Sequence, residues 1–340
     1  MSTEQDKNNN NLQDNFSQQE TEDNLFKFDP PLYTQRYQYI SKLLKKYKSK
    51  TYLDIGCAEC NLIRHVKGFN NEVNLLIGID LDEDLLEYSK FVLQPLSLAY
   101  IKKRDSPLEL YLISGDISCP PDSLINQLNN FSLDFVSLVE VIEHMYSDCL
   151  EKTVDVVFGR LKPKIVAITT PNGEYNVVFD RSDKNHSPTT KKFRNYDHKF
   201  EWTRKEFEKW CLDILDKYKD TYETCIFDGL GDAPVKFEHV GKCSQIAVFI
   251  MKGYEDLNNN FETASDSSVL KSYLNQLLTT QYPHDIDPVI TSKMLAGTSY
   301  KLVDMIQYPY ELQLDIDTDG DDDRIGNILY YENVFGRKIL

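Results

Sequence analysis

The chain has 340 residues, 41% of them hydrophobic and 12% aromatic, with 38 basic against 54 acidic side chains and a net charge of −16. That is enough apolar material for one large or two modest domains, and the acidic balance excludes a protein that coats duplex nucleic acid through a generally basic surface, so no DNA partner is expected. No stretch approaches the ~20 apolar residues that span a bilayer, the N-terminus has no apolar signal core, and the seven scattered cysteines form no disulfide framework. The sequence therefore reads as a soluble, cytoplasmic protein without a membrane partner.

Residues 1–24 carry six acids, one base and the Asn8–Asn11 run, the composition of a disordered tail. A single folded domain is expected over 25–253. It opens with Tyr37, Ile40, Leu43, Leu44 and Tyr47 at helical spacing, predicting a helix over 33–48, and the stretch 31–50 holds six bases and no acid. Short apolar runs follow at Tyr52–Ile55, Leu75–Ile79, Leu110–Ile113, Phe135–Val139, Ile165–Thr169 and Ser244–Ile250, separated by stretches long enough for crossover helices. Near-continuous apolar strands alternating with helices imply a mostly parallel sheet covered on both faces. A second basic segment, 181–205, has eight bases and three acids. Residues 254–268 read as a polar linker and 269–340 as an acidic extension with no recognisable chemistry. Within it, Asp315–Asp323 starts like a calcium-binding EF-hand loop. Gly326 stands where the bidentate glutamate belongs and Asp322 where an apolar residue belongs, so an acidic tail is the better reading.

The ends of the predicted strands carry the chemistry. The first runs into Asp54-Ile-Gly56-Cys57-Ala58-Glu-Cys60, the second ends at Asp80, and the third is followed by Gly115-Asp116. An acid before a glycine and a helix start suits a nucleotide-like ligand at the carboxyl edge of a parallel sheet. Asp80 is placed to bond two ribose hydroxyls and to repel a 2′-phosphate, and Asp116 to meet an adenine edge. The phosphate-cradling G-x-G-x-x-G is absent, so the set fits S-adenosyl-L-methionine better than a dinucleotide. Cys57 and Cys60 lack the second cysteine pair that a structural zinc site needs.

After the fourth predicted strand comes Glu140-Val-Ile-Glu143-His144, which puts two carboxylates and an imidazole on one face of a helical turn. Their mutual repulsion is relieved by a divalent cation, and Asp197-His198 offers a further ligand from another loop. Carboxylates suit Mg²⁺ and imidazoles lean towards softer transition metals, so ligand type alone leaves the metal open. Pro171, Asn172 and the residues after them follow the fifth strand, with groups able to stack on or bond to a base.

Taken together these residues resemble the small-RNA 2′-O-methyltransferases, the enzymes that methylate the 3′-terminal nucleotide of silencing RNAs. The stretches that carry the resemblance are Phe28-Asp-Pro-Pro-Leu-Tyr-Thr-Gln-Arg-Tyr37, Glu140-Val-Ile-Glu-His-Met145, Thr170-Pro-Asn-Gly-Glu-Tyr-Asn176, Asp197-His-Lys-Phe-Glu-Trp-Thr-Arg204 and Val240-Gly-Lys-Cys-Ser-Gln-Ile-Ala-Val-Phe249. The resemblance implies a Rossmann-like S-adenosylmethionine-dependent methyltransferase domain over 25–253, with a mostly parallel seven-stranded sheet and helices on both faces. It implies Glu140, Glu143, His144 and His198 as the catalytic ligands of Mg²⁺ or Mn²⁺, and Asp54, Gly56, Cys57, Cys60, Asp80 and Asp116 as the cofactor site. Tyr33, Arg36, Pro171, Asn172, Arg194 and Lys199 are the candidate substrate contacts. Ala58 departs from the family's usual glycine. About 25 residues precede the matched part, leaving no room there for the plant form's large N-terminal RNA-binding region. That implies the animal type, acting on the 3′ end of single-stranded piRNA-like RNA presented by a Piwi-clade Argonaute. Two other readings stay open: a metal-dependent O-methyltransferase of small molecules, and an inactive module that only binds RNA ends or Argonaute.

Overall fold

A computed structural model describes residues 27–95, 108–179, 193–254, 292–295 and 298–308. The expected tail over 1–24, the linker from residue 255 to 268, residues 181–192 of the second basic segment and the Asp315–Asp323 run lie outside the described residues.

The helix predicted over 33–48 is α1 (Leu32–Lys46), and Ile40 and Leu44 are its most buried apolar residues. After it come β1 (Thr51–Ile55), α2 (Asn61–Phe69), β2 (Leu75–Asp80), α3 (Glu83–Leu93), β3 (Leu108–Ser114), α4 (Asp122–Asn130) and β4 (Phe135–Val139). A 3-10 turn, Ile142–His144, leads to α5 (Ser147–Val154), which continues as a π-helical stretch over Asp155–Leu161. Then follow β5 (Ile165–Pro171), the short α6 (Asn176–Phe179), α7 (Arg204–Lys217), β6 (Tyr222–Leu230), β7 (Ser244–Met251), the short α8 (Ser292–Leu295) and β8 (Lys301–Tyr308). α7 begins at a capping box: Glu206 N–H donates to Thr203 Oγ1 at 3.3 Å, and Glu206 Oε2 accepts from Thr203 N–H at 2.8 Å.

The strands make one sheet in the order β6-β7-β5-β4-β1-β2-β3-β8. The run from β3 to β5 is parallel, and β6, β7 and β8 lie antiparallel to their neighbours. Every residue of β1 and β5 is buried, which is why these strands read as unbroken apolar runs: helices cover both faces. One face packs on α1, α2 and α3 through residues such as Leu44, Ile63 and Leu86. The other packs on α4, α5 and α7 through Leu128, Leu150 and Phe207. Strand order reverses between β1 and β4, so the crevice outside their carboxyl ends is where ligands of such sheets sit. No helix among the described residues is long and apolar enough to cross a membrane.

The sheet has eight strands, one more than the seven expected. The additional one, β8, comes from the stretch read as an acidic extension, and it runs against β3 from Leu108 opposite Tyr308 to Ser114 opposite Lys301. β6 was also invisible as an apolar run, because it is an edge strand with two of nine residues buried.

Candidate active site

Three acids meet at the carboxyl edge of β1, β2 and β3. Asp54 is 2% exposed; its Oδ1 accepts from Ser137 Oγ at 2.5 Å, and that hydroxyl lies 2.7 Å from the Tyr52 hydroxyl. Burial pushes Asp54 up to about 7, against the Ser137 and Tyr52 contacts that pull it down. Asp80 holds the loop after β1: its Oδ2 accepts from Ala58 N–H at 2.8 Å and its Oδ1 from Asp82 N–H at 3.0 Å. Asp116 Oδ1 accepts from Ser118 N–H at 2.9 Å, and its backbone carbonyl accepts from the Tyr300 hydroxyl.

The loop between Asp54 and α2 is wound tightly. Gly56, Ala58 and Cys60 all take left-handed backbone, with φ of 71°, 46° and 56°. A Cβ at Gly56 would also meet Val141 Cγ2 at 2.5 Å, so only glycine fits there. Ala58 holds the same conformation at a cost of roughly 1–2 kcal/mol that a glycine there would not carry. The thiols of Cys57 and Cys60 are buried and 3.7 Å apart, and Cys57 Sγ fills the space beside Gly78. Both side chains serve the core, so what these residues offer a ligand is the loop backbone. No metal-holding group among the described residues includes them.

The second half of the site lies after β4. Glu143, His144 and His198 bring three ligand atoms within 4.8 Å of one another. Glu143 is fully buried; its Oε2 accepts from Thr170 Oγ1 at 3.0 Å, while its Oε1 has no hydrogen-bond partner. Burial, with Glu140 close by, pushes Glu143 up to about 8. His198 Nδ1 lies 2.5 Å from Glu201 Oε1 and His144 Nδ1 lies 2.8 Å from Asp197 Oδ2. With carboxylates accepting at both Nδ1 atoms, the two Nε2 lone pairs are left to ligate, the arrangement by which outer carboxylates orient metal-bound histidines. An orphaned, buried carboxylate oxygen beside two oriented imidazoles fits a divalent cation. Asp197 and Glu201 were not singled out as orienting residues in the sequence, although both flank His198 within three positions.

Glu140, the fourth expected ligand, stands outside this group. It sits in left-handed backbone at φ 57°. Its Oε1 accepts from Thr169 Oγ1 at 2.9 Å and Ser244 Oγ at 2.7 Å, and its Oε2 pairs with Arg36 Nη1 at 2.5 Å.

The candidate substrate contacts divide. Tyr33 is 55% exposed on the first turn of α1, its ring 5.6 Å from that of Tyr37. Lys199 N–H donates to the Glu143 carbonyl at 2.7 Å, and its ammonium lies 4.9 Å from the ring of exposed Tyr146. Arg194 is at the surface, its guanidinium over the Phe179 ring and 3.2 Å from Cys243 Sγ. Arg36 is engaged with Glu140. Pro171 and Asn172 turn inward instead. Asn172 is fully buried; its amide donates to the carbonyls of Val240 at 2.8 Å and Lys242 at 2.9 Å, and its oxygen accepts from Glu174 N–H at 3.0 Å. That amide has both donors spent, so it ties the loop after β5 to the approach of β7 and does not reach a base.

No family model matches the chain. Known proteins do. It is 35% identical over 249 residues to the small RNA 2′-O-methyltransferase of Xenopus tropicalis, covering 73% of this chain and 62% of that protein. With the small RNA 2′-O-methyltransferase of Mus musculus it is 33% identical over 290 residues, 85% of this chain and 68% of the relative. Among solved structures, the crystal structure of small RNA methyltransferase HEN1 superposes with a TM-score of 0.55 at 29% identity, covering 68% of this chain and 27% of that one.

Proposed function

Because the chain belongs to the small-RNA 2′-O-methyltransferase family, we propose that it methylates the 2′-hydroxyl of the 3′-terminal ribose of a single-stranded small RNA. S-adenosyl-L-methionine is the donor and Mg²⁺ or Mn²⁺ assists. The observation that carries this reading is the group of Glu143, His144 and His198 in the crevice shared with Asp54, Asp80 and Asp116.

In this reading the Gly56–Cys60 backbone would hold the donor, Asp80 would accept from its ribose hydroxyls, Asp54 would face its ammonium and Asp116 its adenine. The methyl carbon leaves the sulfonium sulfur, whose bonding pair stays behind as a thioether, and bonds to the 2′-oxygen; the 2′-proton passes to solvent. Glu143, His144 and His198 would hold a divalent ion, joined by Glu140 once its present partners release it, and that ion would supply Lewis acidity at the RNA end. Asp197 and Glu201 keep both rings in the ligating tautomer, and Thr170 fixes the Glu143 carboxylate. Lys199 and Arg194 would meet backbone phosphates, so contacts would position the strand more than they read it. Presentation of a piRNA by a Piwi-clade Argonaute in the cytoplasm belongs to the same proposal and rests on the family resemblance.

The test is methyl transfer from labelled donor to a ~25-nucleotide single strand. Matched RNAs end in a 2′,3′-diol, a 2′-deoxy or a 3′-deoxy ribose, each with metal or chelator. Only the diol with metal is expected to be labelled, and Glu143→Gln should reduce turnover at least 100-fold or so while the protein still binds S-adenosylhomocysteine. Equal labelling of the 3′-deoxy end, or full activity with chelator, rejects the metal-assisted reading.

A further inference from the structure

Arg36 stands where the candidate metal group meets the candidate RNA surface. It projects from the second turn of α1, and its guanidinium is paired with Glu140 at 2.5 Å, the two side chains 15% and 20% exposed. The other Glu140 oxygen is taken by Thr169 and Ser244. As the side chains stand, Glu140 is therefore committed elsewhere, while Glu143, His144 and His198 already converge. A guanidinium and a divalent cation both need this carboxylate, and their charges repel one another. A guanidinium also binds a phosphate through the same planar fork with which it binds a carboxylate.

Resting on the function proposed above, we infer that Arg36 is an ionic latch: it holds Glu140 away from the metal group until the terminal phosphate of the RNA takes the guanidinium and frees the carboxylate to ligate. Arg36 is then a positioning residue, and its effect is thermodynamic. RNA and metal compete with one and the same ion pair, so each tightens the other's binding by the same factor. The complete ligand set assembles only beneath a seated 3′ end, and α1 carries the information from phosphate to metal across a single side chain.

The experiment is a Mn²⁺ titration of the full chain by electron paramagnetic resonance, without RNA and with a single strand ending in 2′,3′-dideoxyribose. That strand offers its phosphates but no terminal hydroxyl to the metal, so any tightening comes through the protein. For the wild type, RNA should tighten the Mn²⁺ Kd by about fivefold or more. A strand whose last linkage is an uncharged methylphosphonate should give no tightening, and this comparison needs no variant. Arg36→Gln should bind Mn²⁺ without RNA as tightly as the wild type does with it, and RNA should add nothing. A merely structural role for Arg36 predicts the reverse, a weaker site. Saturable Mn²⁺ binding that Glu143→Gln removes, but that RNA leaves unchanged, overturns the latch alone. Absence of saturable binding to the wild type overturns the metal reading beneath it, and the latch with it.

Discussion

Asp54 and Glu143 are carboxylates that the fold has driven into its interior, and burial without a cation raises the proton affinity of both. For Asp54, at about 7, the consequence is measurable near neutral pH. The donor in the proposed reaction is a cation, and only the ionised carboxylate attracts it. Affinity for S-adenosylmethionine should therefore fall about tenfold from pH 8 to pH 6, and Asp54→Asn should flatten the profile in a calorimetric titration. The stability term has the opposite sign. A carboxyl raised above its unfolded value keeps its proton longer in the native state, so its contribution to stability is greatest below the unfolded pKa and is lost as pH rises through about 7. Cofactor affinity that is flat across this range would place the donor's charge elsewhere. Asp54 was legible in the sequence because it interrupts a short apolar run just before a glycine, and Glu143 because it stands with Glu140 and His144 directly after another. The partners of Asn172 and Glu140 were not: Val240, Lys242 and Ser244 lie some 70 to 100 positions downstream, and a motif says which residue stands at a place, not which way its side chain turns.

At the scale of elements, β8 changes what the C-terminal part of the chain is for. Without it β3 would end the sheet with an unpaired edge. The turn leading into it places Tyr300, 2% exposed, flat against the loop after β3: a Cβ at Gly115 would meet the Tyr300 ring at 2.3 Å, and the hydroxyl donates to the Asp116 carbonyl. Tyr300 thus braces the residue assigned to the adenine. Tyr300→Ala should cost about 3–5 kcal/mol in denaturant unfolding, as for other buried aromatic truncations. Tyr300→Phe, which keeps the ring and loses one hydrogen bond, should cost about 1 kcal/mol. The alanine variant should also weaken S-adenosylhomocysteine binding; an unchanged Kd would show that the brace serves stability alone. The parallel core strands were readable because both their faces are covered and their apolar runs are continuous. β6 and β8 were not, since an edge strand needs apolar residues on fewer positions, and Lys301–Tyr308 has only broken apolar pairs, Leu302-Val303 and Met305-Ile306, in an otherwise acidic stretch whose partner lies nearly 200 residues earlier.

For the whole molecule, the question is how a chain of net charge −16 would hold the polyanion of the proposed reaction. Its net negative charge is concentrated at the two ends of the sequence, six acids against one base within residues 1–24 and fifteen against six within 254–340, which leaves residues 25–253 close to neutral. Among the described residues, the cations proposed to meet phosphate are Arg36 on α1, Lys199 beside Glu143, and Arg194 over Phe179. Each phosphate neutralised on a single strand contributes about 0.7 to the salt slope, so three contacts predict a slope of log Kobs against log salt of about −2. Fluorescence anisotropy of a labelled single strand across 50–300 mM KCl measures it directly. Lys199→Ala should reduce the magnitude by roughly 0.7 without changing any preference among sequences, because a phosphate contact carries no base information. A slope steeper than about −5 would require a long basic track along the strand, and recognition would then no longer be confined to the RNA end. A shallow slope is what the proposed recognition of an RNA end needs: the acidic remainder would repel internal RNA, and the cations at the crevice would hold the one place on the strand where two hydroxyls stand side by side.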